Sequence, residues 1–303
     1  MNGLTSKAPG KLNLCLFLGP TRADGLHDLV SLFESVSLHD TVTLVRRPDA
    51  ATDSVLCERV AGENLALTAL EMARSSGLLR GEPVELTIEK RIPVAAGMGG
   101  GSADAAAALR LIASDQGVAI DGFESLAFEL GADVPSQLTP GASLVTGAGE
   151  RVERLVDDQL AGASRAYVIV AQATGLSTAD VFRAADADSL GRSDLTTKID
   201  QLRAAIETHP NTSELSSLVE NDLTGAIVGL RPELSTVIEA LVDAGATAAA
   251  ITGSGPTCFG VFGDRPTAER VAQSMIGEGH IALVAEPVGA EFAAVSDLQA
   301  ANR

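Results

Sequence analysis

The fold is decided by the stretch Pro93-Val94-Ala95-Ala96-Gly97-Met98-Gly99-Gly100-Gly101-Ser102-Ala103-Asp104. Before it, the alternating apolar residues of Val84–Glu89 predict a strand, and after it the apolar, alanine-rich segment Ala105–Ala113 predicts a buried helix. Glycines let the backbone approach a ligand because no Cβ atoms intervene. The N–H groups and dipole of the following helix attract anions to the same place. The stretch therefore predicts a phosphate-binding loop, with polyphosphate as the ligand.

Two well-known phosphate loops are excluded by the residues present. A Walker A loop has a lysine directly after its last glycine, and no lysine follows these glycines. In a dinucleotide-binding fingerprint the third glycine would fall at Ser102, and the βαβ context is missing. A close-packed turn between strand and helix, without any ligand, remains an alternative for the loop alone.

Composition and charge limit the class of protein. With 303 residues, 46% hydrophobic and 20% charged, the chain can form two globular domains. It has no apolar run of membrane-spanning length, and residues 1–11 lack a signal-peptide core. The three cysteines lack metal-binding spacing, which predicts a reducing cytoplasm, and the four scattered histidines predict no histidine-built metal site.

The net charge of −18 argues against nucleic acid and anionic membranes as partners, because both require a basic surface. A chain this acidic also repels polyphosphates at long range. Any attraction must therefore be local, from helix N-termini, a bound Mg²⁺ and a few cations. The four lysines are Lys7, Lys11, Lys90 and Lys198.

The first half of the chain predicts an α+β domain, because strand patterns come first and helices later. Residues 1–60 are mostly strand-like, with a turn at Arg22-Ala23-Asp24-Gly25-Leu26-His27. Asn64 is a predicted cap for a helix over Leu65–Ser76. Further predictions are a helix from Asp121 to Gly131 and a strand over Ala142–Thr146.

The second half predicts the split β-α-β-β-α-β order of ferredoxin-like domains, with additional helices. The predicted strands are Tyr167–Ala171, Ala248–Thr252, Thr257–Phe262 and Ile281–Pro287. The predicted helices are Thr178–Ala187, Lys198–Thr208, Glu214–Leu230, Glu233–Ala244 and Thr267–Ile276. We place the domain boundary near residue 155, giving domains of residues 1–155 and 156–303.

Three further features accompany the glycine-rich loop. Lys11 and Asn13 lie two residues apart, which places both on one face of an apolar strand, although a strand lysine commonly only extends to solvent. Asp133 follows a predicted helix end, where a turn aspartate is also common. The segment Thr252-Gly253-Ser254-Gly255-Pro256 fits either a hairpin turn or a second phosphate-facing loop.

Together these motifs resemble the GHMP kinases, the family of galactokinase, homoserine kinase and mevalonate kinase. The three family motifs match, in order, Pro9–Leu14, Pro93–Asp104 and Thr252–Pro256, so the resemblance covers nearly the whole chain. It implies an N-terminal domain similar to domain 2 of ribosomal protein S5 and a C-terminal ferredoxin-like domain. It also implies that ATP and a second substrate meet in the cleft between them.

Two segments narrow the resemblance within the family, namely Arg22–His27 and Gly131-Ala132-Asp133-Val134-Pro135. They are similar to those of kinases that phosphorylate a hydroxyl of a cytidyl diphosphate sugar alcohol in the non-mevalonate route to isoprenoids. The resemblance thus implies ATP and this sugar alcohol as small-molecule substrates and Mg²⁺ as cofactor. We expect a monomer or weak homodimer.

The resemblance also implies roles for individual residues. Asp133 is the expected general base for the hydroxyl, and Lys11 stabilises the developing negative charge. The ATP phosphates are expected at Pro93, Val94, Ala95, Ala96, Gly97, Met98, Gly99, Gly100, Gly101, Ser102 and Ala103, with Ser102 as a hydroxyl contact. No protein carboxylate stands out as a metal ligand, which suits a magnesium ion held by phosphates and water.

At the cytidine end, the resemblance implies that His27 contacts the edge of the base and that Phe182 covers one of its faces. Leu26 replaces the aromatic residue that relatives often place on the other face, so the stacking interaction is lost there. Asn13 and Thr178 complete the expected substrate contacts. Taken alone, His27 would be a surface-turn histidine, Phe182 part of a helix core and Thr178 a helix cap.

Three other functions were considered. A GHMP kinase for another small alcohol fits the Arg22–His27 and Asp133 segments less well. A nucleotide-binding module without turnover has no need of both Lys11 and Asp133. A structural or nucleic-acid-binding protein is disfavoured by the charge of −18.

Overall fold

The computed structural model describes residues 3–58, 62–155, 160 and 164–298. Its strands are β1 Gly3–Thr21, β2 His27–Arg46, β3 Ser54–Leu56, β4 Val84–Glu89, β5 Ala142–Gly147, β6 Arg151–Arg154, β7 Ala166–Ala171, β8 Glu220–Asn221, β9 Ala248–Ile251, β10 Cys258–Phe262, β11 Ile281–Ala285 and β12 Ser296–Asp297. Its helices are α1 Leu65–Ser75, α2 Gly100–Gln116, α3 Glu124–Leu130, α4 Val134–Gln137, α5 Thr178–Ala187, α6 Leu195–Glu207, α7 Thr212–Ser216, α8 Thr224–Leu230, α9 Glu233–Asp243 and α10 Arg265–Gly277. Short 3₁₀ turns lie at Ile120–Phe123 and Ala290–Ala293.

The first sheet is built on the long antiparallel pair β1 and β2. Strand β2 pairs with β5 along its first half and with β4 along its second half, so a single strand connects two parts of the sheet. Helices α1 and α2 pack on this sheet and share one hydrophobic core with it. Because its inner face is largely alanine, α2 approaches closely enough to bury every residue from 103 to 113.

The second sheet has the strand order β11-β7-β10-β9, and its pairings are antiparallel. Along the chain its strands and helices follow the β-α-β-β-α-β order, with α10 between β10 and β11. This confirms the predicted split pattern. None of the helices in the described part of the chain is long and apolar enough to cross a bilayer.

The second half of the chain also contributes to the first sheet. Strand β8 pairs in parallel with β1 at Cys15 and Leu16, and β12 pairs antiparallel with β1 at Leu4 and Thr5. The central strand β1 is thus held by segments more than 200 residues away. The boundary between residues 155 and 156 stays a prediction, because residues 156–159 lie outside the described residues.

The predicted helix Glu214–Leu230 is wrong, because the chain breaks there into α7, β8 and α8. The cause is Asn221, whose side-chain amide donates hydrogen bonds to the carbonyl oxygens of Ile251 and Gly253, each 2.8 Å away. Its side-chain oxygen also accepts from the N–H of Leu223 at 2.9 Å. These bonds to a distant loop replace helical hydrogen bonds, which a local pattern does not reveal.

Two other differences concern helix starts. Helix α2 begins at Gly100, five residues before the predicted start, so the last glycines of the loop belong to its first turn. The helix predicted from Asp121 begins as a 3₁₀ turn and becomes α3 at Glu124. The helix at Asn64 forms as predicted, with the Asn64 side chain accepting a hydrogen bond from the Ala66 N–H at 3.0 Å.

Candidate active site

Strand β1 places Lys11 and Asn13 side by side. The pairing with β2 shifts register between Pro9 and Lys11 and again between Asn13 and Cys15, so irregularities flank the two residues. The Lys11 N–H instead donates to the carbonyl oxygen of Met98 in the glycine-rich loop, 3.0 Å away. The ammonium Nζ of Lys11 donates to Asn13 Oδ1 at 2.6 Å, which confirms that both side chains share a face.

Asp133 lies at the N-cap of α4, a short helix that the sequence did not predict. Its carboxylate oxygen Oδ2 lies 3.5 Å from Lys11 Nζ. The Asp133 side chain is 32% exposed, whereas that of Lys11 is 5% exposed. Within the described residues the carboxylate makes no capping bond to α4, so it is free to face a ligand.

The glycine-rich loop packs directly against the segment Thr252–Pro256. A Cβ atom on Gly97 would lie 2.7 Å from the carbonyl oxygen of Gly255 and 2.8 Å from that of Thr252. Gly97 and Gly99 also have positive φ angles of 74° and 66°, which side chains disfavour. The glycines are therefore required both by the backbone conformation and by the close approach of the two loops.

The segment Thr252–Pro256 joins β9 to β10, which confirms its hairpin interpretation. It also borders the site: the Thr252 hydroxyl donates to Asn13 Oδ1 at 3.2 Å, and a Cβ on Gly253 would lie 3.4 Å from Lys11 Nζ. Lys11 is thereby enclosed between two glycine loops.

Two clefts share lining residues of the glycine-rich loop. The larger has a volume of about 1000 Å³, and its lining includes Lys11, Asn13, Leu26, His27, Asp133, Thr178, Phe182, Asp186, Gly253 and Ser254. The smaller, of about 350 Å³, is lined by residues of the glycine-rich loop, by Lys90 and Asp104, and by Glu63, Asn64 and Leu65 at the start of α1. Gly97, Gly99 and Ser102 line both clefts. Lys11 and Asp133 line the larger cleft next to these shared residues, since a Cβ on Gly99 would lie 3.3 Å from Lys11 Cγ and 3.4 Å from Asp133 Oδ2.

The far end of the larger cleft brings together the three residues expected around a base. The rings of His27 and Phe182 have centroids 5.3 Å apart and are tilted by 44°. His27 Nδ1 lies 3.0 Å from the Gly19 carbonyl oxygen and Nε2 lies 3.1 Å from Asp186 Oδ1, which fixes the ring. Leu26 is 52% exposed beside them.

Helix α5 supplies the opposite wall of the cleft. The Thr178 hydroxyl lies 2.9 Å from that of Ser254. The helix is capped by Ser177, whose hydroxyl accepts from the Asp180 N–H, so the interpretation of Thr178 as the cap is wrong. Phe182 is only partly buried and packs against the core of the second sheet while lining the cleft.

A buried charge cluster beneath the glycine-rich loop was missed by the sequence analysis. Lys90 Nζ donates to Asp40 Oδ2 at 2.5 Å and to Asp104 Oδ2 at 2.7 Å. Asp40 Oδ1 also accepts from the Arg91 and Ile92 N–H groups. Lys90 and Asp104 flank the loop in the sequence, which was the available signal, but nothing local pointed to Asp40.

Asp104 is the most perturbed member of the cluster. Burial raises the pKa of its carboxyl to about 7, despite the opposing effect of Lys90. Its second oxygen, Oδ1, has no hydrogen-bond partner in the part of the chain that the structure describes. The cluster joins both ends of the loop to strand β2 through a single ammonium group.

Comparison with known proteins identifies the family to which this chain belongs. The model of the GHMP kinases N terminal domain matches residues 64–142, and that of the GHMP kinases C terminal domain matches residues 200–281. This chain belongs to the GHMP kinase family, and the two sheets confirm the expected two-domain α+β architecture.

Within the family, the chain is similar to proteins named 4-diphosphocytidyl-2-C-methyl-D-erythritol kinase. The protein of Mycolicibacterium smegmatis is 39% identical, with 91% of this chain and 87% of the relative covered. That of Corynebacterium efficiens is 38% identical, with 91% and 90% covered. A crystal structure of 4-(cytidine 5'-diphospho)-2C-methyl-D-erythritol kinase is 28% identical and superposes with a TM-score of 0.74 over 94% of this chain and 99% of that one.

A homoserine kinase structure from Cytophaga hutchinsonii superposes with a TM-score of 0.72 at 18% identity, over 98% of each chain. This likeness concerns the fold alone. The architecture is thus shared across kinases with different acceptors, and the acceptor must be argued from the site.

Proposed function

We propose that this protein transfers the γ-phosphoryl group of ATP to the 2-hydroxyl of 4-diphosphocytidyl-2-C-methyl-D-erythritol, a step of the non-mevalonate pathway to isopentenyl diphosphate and isoprenoids. The relatives that cover most of the chain are named for this substrate. The observation that carries the proposal is the Lys11–Asp133 pair in the larger cleft, next to Gly99, which lines both clefts. Donor and acceptor can therefore approach the same pair of charges from two sides.

The smaller cleft is the proposed site of ATP. The residues Pro93–Ala103 hold the phosphates, since the N-terminus of α2 has no side-chain cap among the described residues and its backbone N–H groups can bind an anion. Mg²⁺ would neutralise phosphate charge there. The described residues contain no cluster of three or more metal-binding side chains, so such an ion would be held mainly by phosphate oxygens and water, with Ser102 as the nearby hydroxyl.

The chemistry requires a positioned hydroxyl and stabilisation of negative charge, with little covalent assistance. Asp133 accepts the proton of the acceptor hydroxyl as it attacks, because its carboxylate is exposed to the larger cleft. Lys11 stabilises the charge that develops on the transferred group and on the attacking oxygen. Its burial and its bond to Asn13 hold the ammonium in place before the substrates bind.

The larger cleft is the proposed acceptor site, with the cytosine between Phe182 and Leu26 and its edge at His27, whose Nε2 would exchange its contact with the exposed Asp186 carboxylate for one with the base. Thr178, at the start of α5, is placed to contact the diphosphate. Asn13 has a second proposed role. Its amide donates to the Ser31 hydroxyl at 2.9 Å and its oxygen accepts from Lys11, so it orients the ammonium as well as lining the cleft.

We also propose a cytoplasmic location. Cys15, Cys57 and Cys258 are free thiols, and burial raises the pKa of Cys15 and of Cys258 to about 12, which leaves both unreactive. The oligomeric state remains the prediction of a monomer or weak homodimer.

The deciding experiment measures ADP release by the purified protein with Mg-ATP and 4-diphosphocytidyl-2-C-methyl-D-erythritol. Homoserine, mevalonate, galactose and no acceptor serve as controls. We expect turnover only with the cytidyl substrate. Turnover with another alcohol would overturn the acceptor assignment but keep the kinase, and ATP binding without any turnover would favour a binding module.

A further inference from the structure

Arg110 joins the three elements that carry the active site. It lies on α2, whose N-terminus follows the glycine-rich loop, and it is only 9% exposed. Its Nη2 donates to the Lys7 carbonyl oxygen at 2.7 Å and its Nε to the Ser6 hydroxyl at 3.3 Å, both on β1. Its Nη1 donates to the Gln137 carbonyl oxygen, at the last residue of α4, at 2.5 Å.

These contacts are unusual because no carboxylate pairs with Arg110 among the described residues. Burial lowers the pKa of its guanidinium to about 9, which reflects the cost of holding a charge away from water. An apolar side chain of similar length would fill the same space without that cost. Only a guanidinium can bond β1 and α4 at the same time, through its fork of N–H donors.

Arg154 binds the same short helix from strand β6. Its Nη2 donates to the Pro135 carbonyl oxygen at 2.9 Å and its Nη1 to that of Ser136 at 3.1 Å, and Nη1 also contacts the Thr139 carbonyl oxygen. The last carbonyl groups of a helix have no partners within it, and a cation there is favourable. In a helix of four residues, such external bonds decide where the helix lies.

We propose that Arg110 and Arg154 are positioning residues for phosphoryl transfer, which hold α4 so that Asp133, at its N-cap, faces Lys11. The proposal rests on the proposed role of Asp133 as the base. Lys7 lies four residues before Lys11 on β1, so Arg110 connects the strand of the ammonium to the helix of the carboxylate. Apolar packing of Val134 and Leu138 also contributes to the position of α4. That packing holds the helix through apolar contacts, whereas the two guanidinium groups bond its carbonyl oxygens.

The first test compares Arg110→Met, Arg110→Lys and Arg154→Met with the wild type. Arg203→Met is the matched control, because Arg203 is an exposed arginine that pairs with Glu153, the neighbour of Arg154. A displacement of about 1 Å at a reacting group lowers turnover by about a hundredfold. We therefore expect kcat to fall by about ten- to a hundredfold in both methionine variants, with the Kd of ATP within about twofold. Partial recovery is expected for Arg110→Lys, which retains the charge.

The second test repeats Arg154→Met in an Asp133→Asn background, to separate positioning from a general structural role. A residue that acts only through Asp133 causes no further loss once that carboxylate is gone. If the two losses in kcat multiply in the double variant, the proposal is wrong. It is also wrong if the kcat of Arg154→Met equals that of the control Arg203→Met. Arg154 is exposed, so this variant keeps the test valid if Arg110→Met does not fold.

The outcomes also separate this inference from the function on which it rests. Near-normal turnover of Asp133→Asn alone would remove Asp133 as the base, and the positioning role with it. Impaired Asp133→Asn together with unimpaired arginine variants would overturn the positioning role only. Because the inference concerns the base and not the acceptor, it is tested with whichever acceptor the wild-type protein phosphorylates.

Discussion

The backbone nitrogen of Lys11 donates a hydrogen bond to the carbonyl oxygen of Met98, 3.0 Å away. Met98 stands between the two positive-φ glycines of the glycine-rich loop, Gly97 and Gly99. The loop is therefore hydrogen-bonded to strand β1 at Lys11 itself. A change in the loop should move the ammonium as well as the phosphate-binding groups.

Substitution of Gly99 by alanine tests this coupling. A Cβ there would lie 3.2 Å from Lys11 Cε and 3.4 Å from Asp133 Oδ2, on a backbone with φ of 66°. We expect Gly99→Ala to lower kcat more than tenfold and the free energy of unfolding by about 1–2 kcal/mol. Steady-state kinetics and urea denaturation measure the two effects. The control is Gly229→Ala in α8, where no described atom lies within 4 Å of the added Cβ and a gain of about 0.5–1 kcal/mol is expected.

Asp133→Asn should separate catalysis from binding. The substitution preserves shape but removes the base, so we expect kcat to fall by about 10²–10⁴ while the Kd of ATP, measured by calorimetry, stays unchanged. Because the described Asp133 side chain makes no capping bond, a loss of helix stability is not an alternative cause. Normal turnover, or a parallel loss of ATP affinity, would contradict the assignment.

A substitution at Leu26 tests the proposed acceptor site by strengthening the binding of the acceptor. Its exposed side chain covers a base less well than an aromatic ring, and stacking on an aromatic ring is worth about 1–3 kcal/mol per base. We expect Leu26→Tyr to lower the KM of the cytidyl acceptor by about fivefold or more, and Leu26→Ala to raise it. The KM of ATP serves as internal control. An unchanged KM of the acceptor in both variants would place the cytosine elsewhere.

Asp104 should make stability depend on pH between about 4 and 7. In the folded state its carboxyl keeps a proton up to about pH 7, beside Lys90 and Asp40, whereas an unfolded aspartate loses its proton near about 3.9. The unfolded state thus binds fewer protons in this range, and the contribution of Asp104 to the free energy of unfolding falls as pH rises.

Asp104→Asn removes this titration. Relative to the wild type, the variant should gain stability progressively as pH rises from about 4 to 7, as measured by urea denaturation at each pH. Asp188→Asn, on an exposed residue after α5, is the control and should show no such trend. A difference that shrinks with rising pH would show that burial does not raise the pKa of Asp104.

The arrangement of the candidate site could be predicted in part because its residues lie in short motifs. The shared face of Lys11 and Asn13 follows from strand geometry and is confirmed, and the glycine-rich loop lies between a strand and a helix as expected, while its binding of phosphate stays a prediction. In the second half of the chain, the order of the predicted strands and helices was enough to predict the split β-α-β-β-α-β pattern. Strands, helices and turns that depend on neighbouring residues in the sequence were therefore predicted well.

The parts that were missed depend on contacts between distant segments. The helix predicted over Glu214–Leu230 fails because Asn221 bonds to carbonyl groups 30 and 32 residues later. Helix α4 is too short for a periodic pattern, and its support by Arg110 and Arg154 is visible only in three dimensions. Asp40 likewise joins the loop from a strand 50 residues earlier than Lys90.

The walls of the larger cleft, the proposed acceptor site, come from the hairpin tip at residues 22–27 and from α5. Both segments lie outside residues 64–142 and 200–281, the parts that match the two family models, as does Lys11, whereas the glycine-rich loop and Asp133 lie inside. In the proposed mechanism, the walls around the acceptor base and the loop around the phosphates therefore come from separate stretches of the chain. On this proposal, replacing these two short segments with those of a relative that uses another acceptor would change the acceptor, while the glycine-rich loop and Asp133 stay in place.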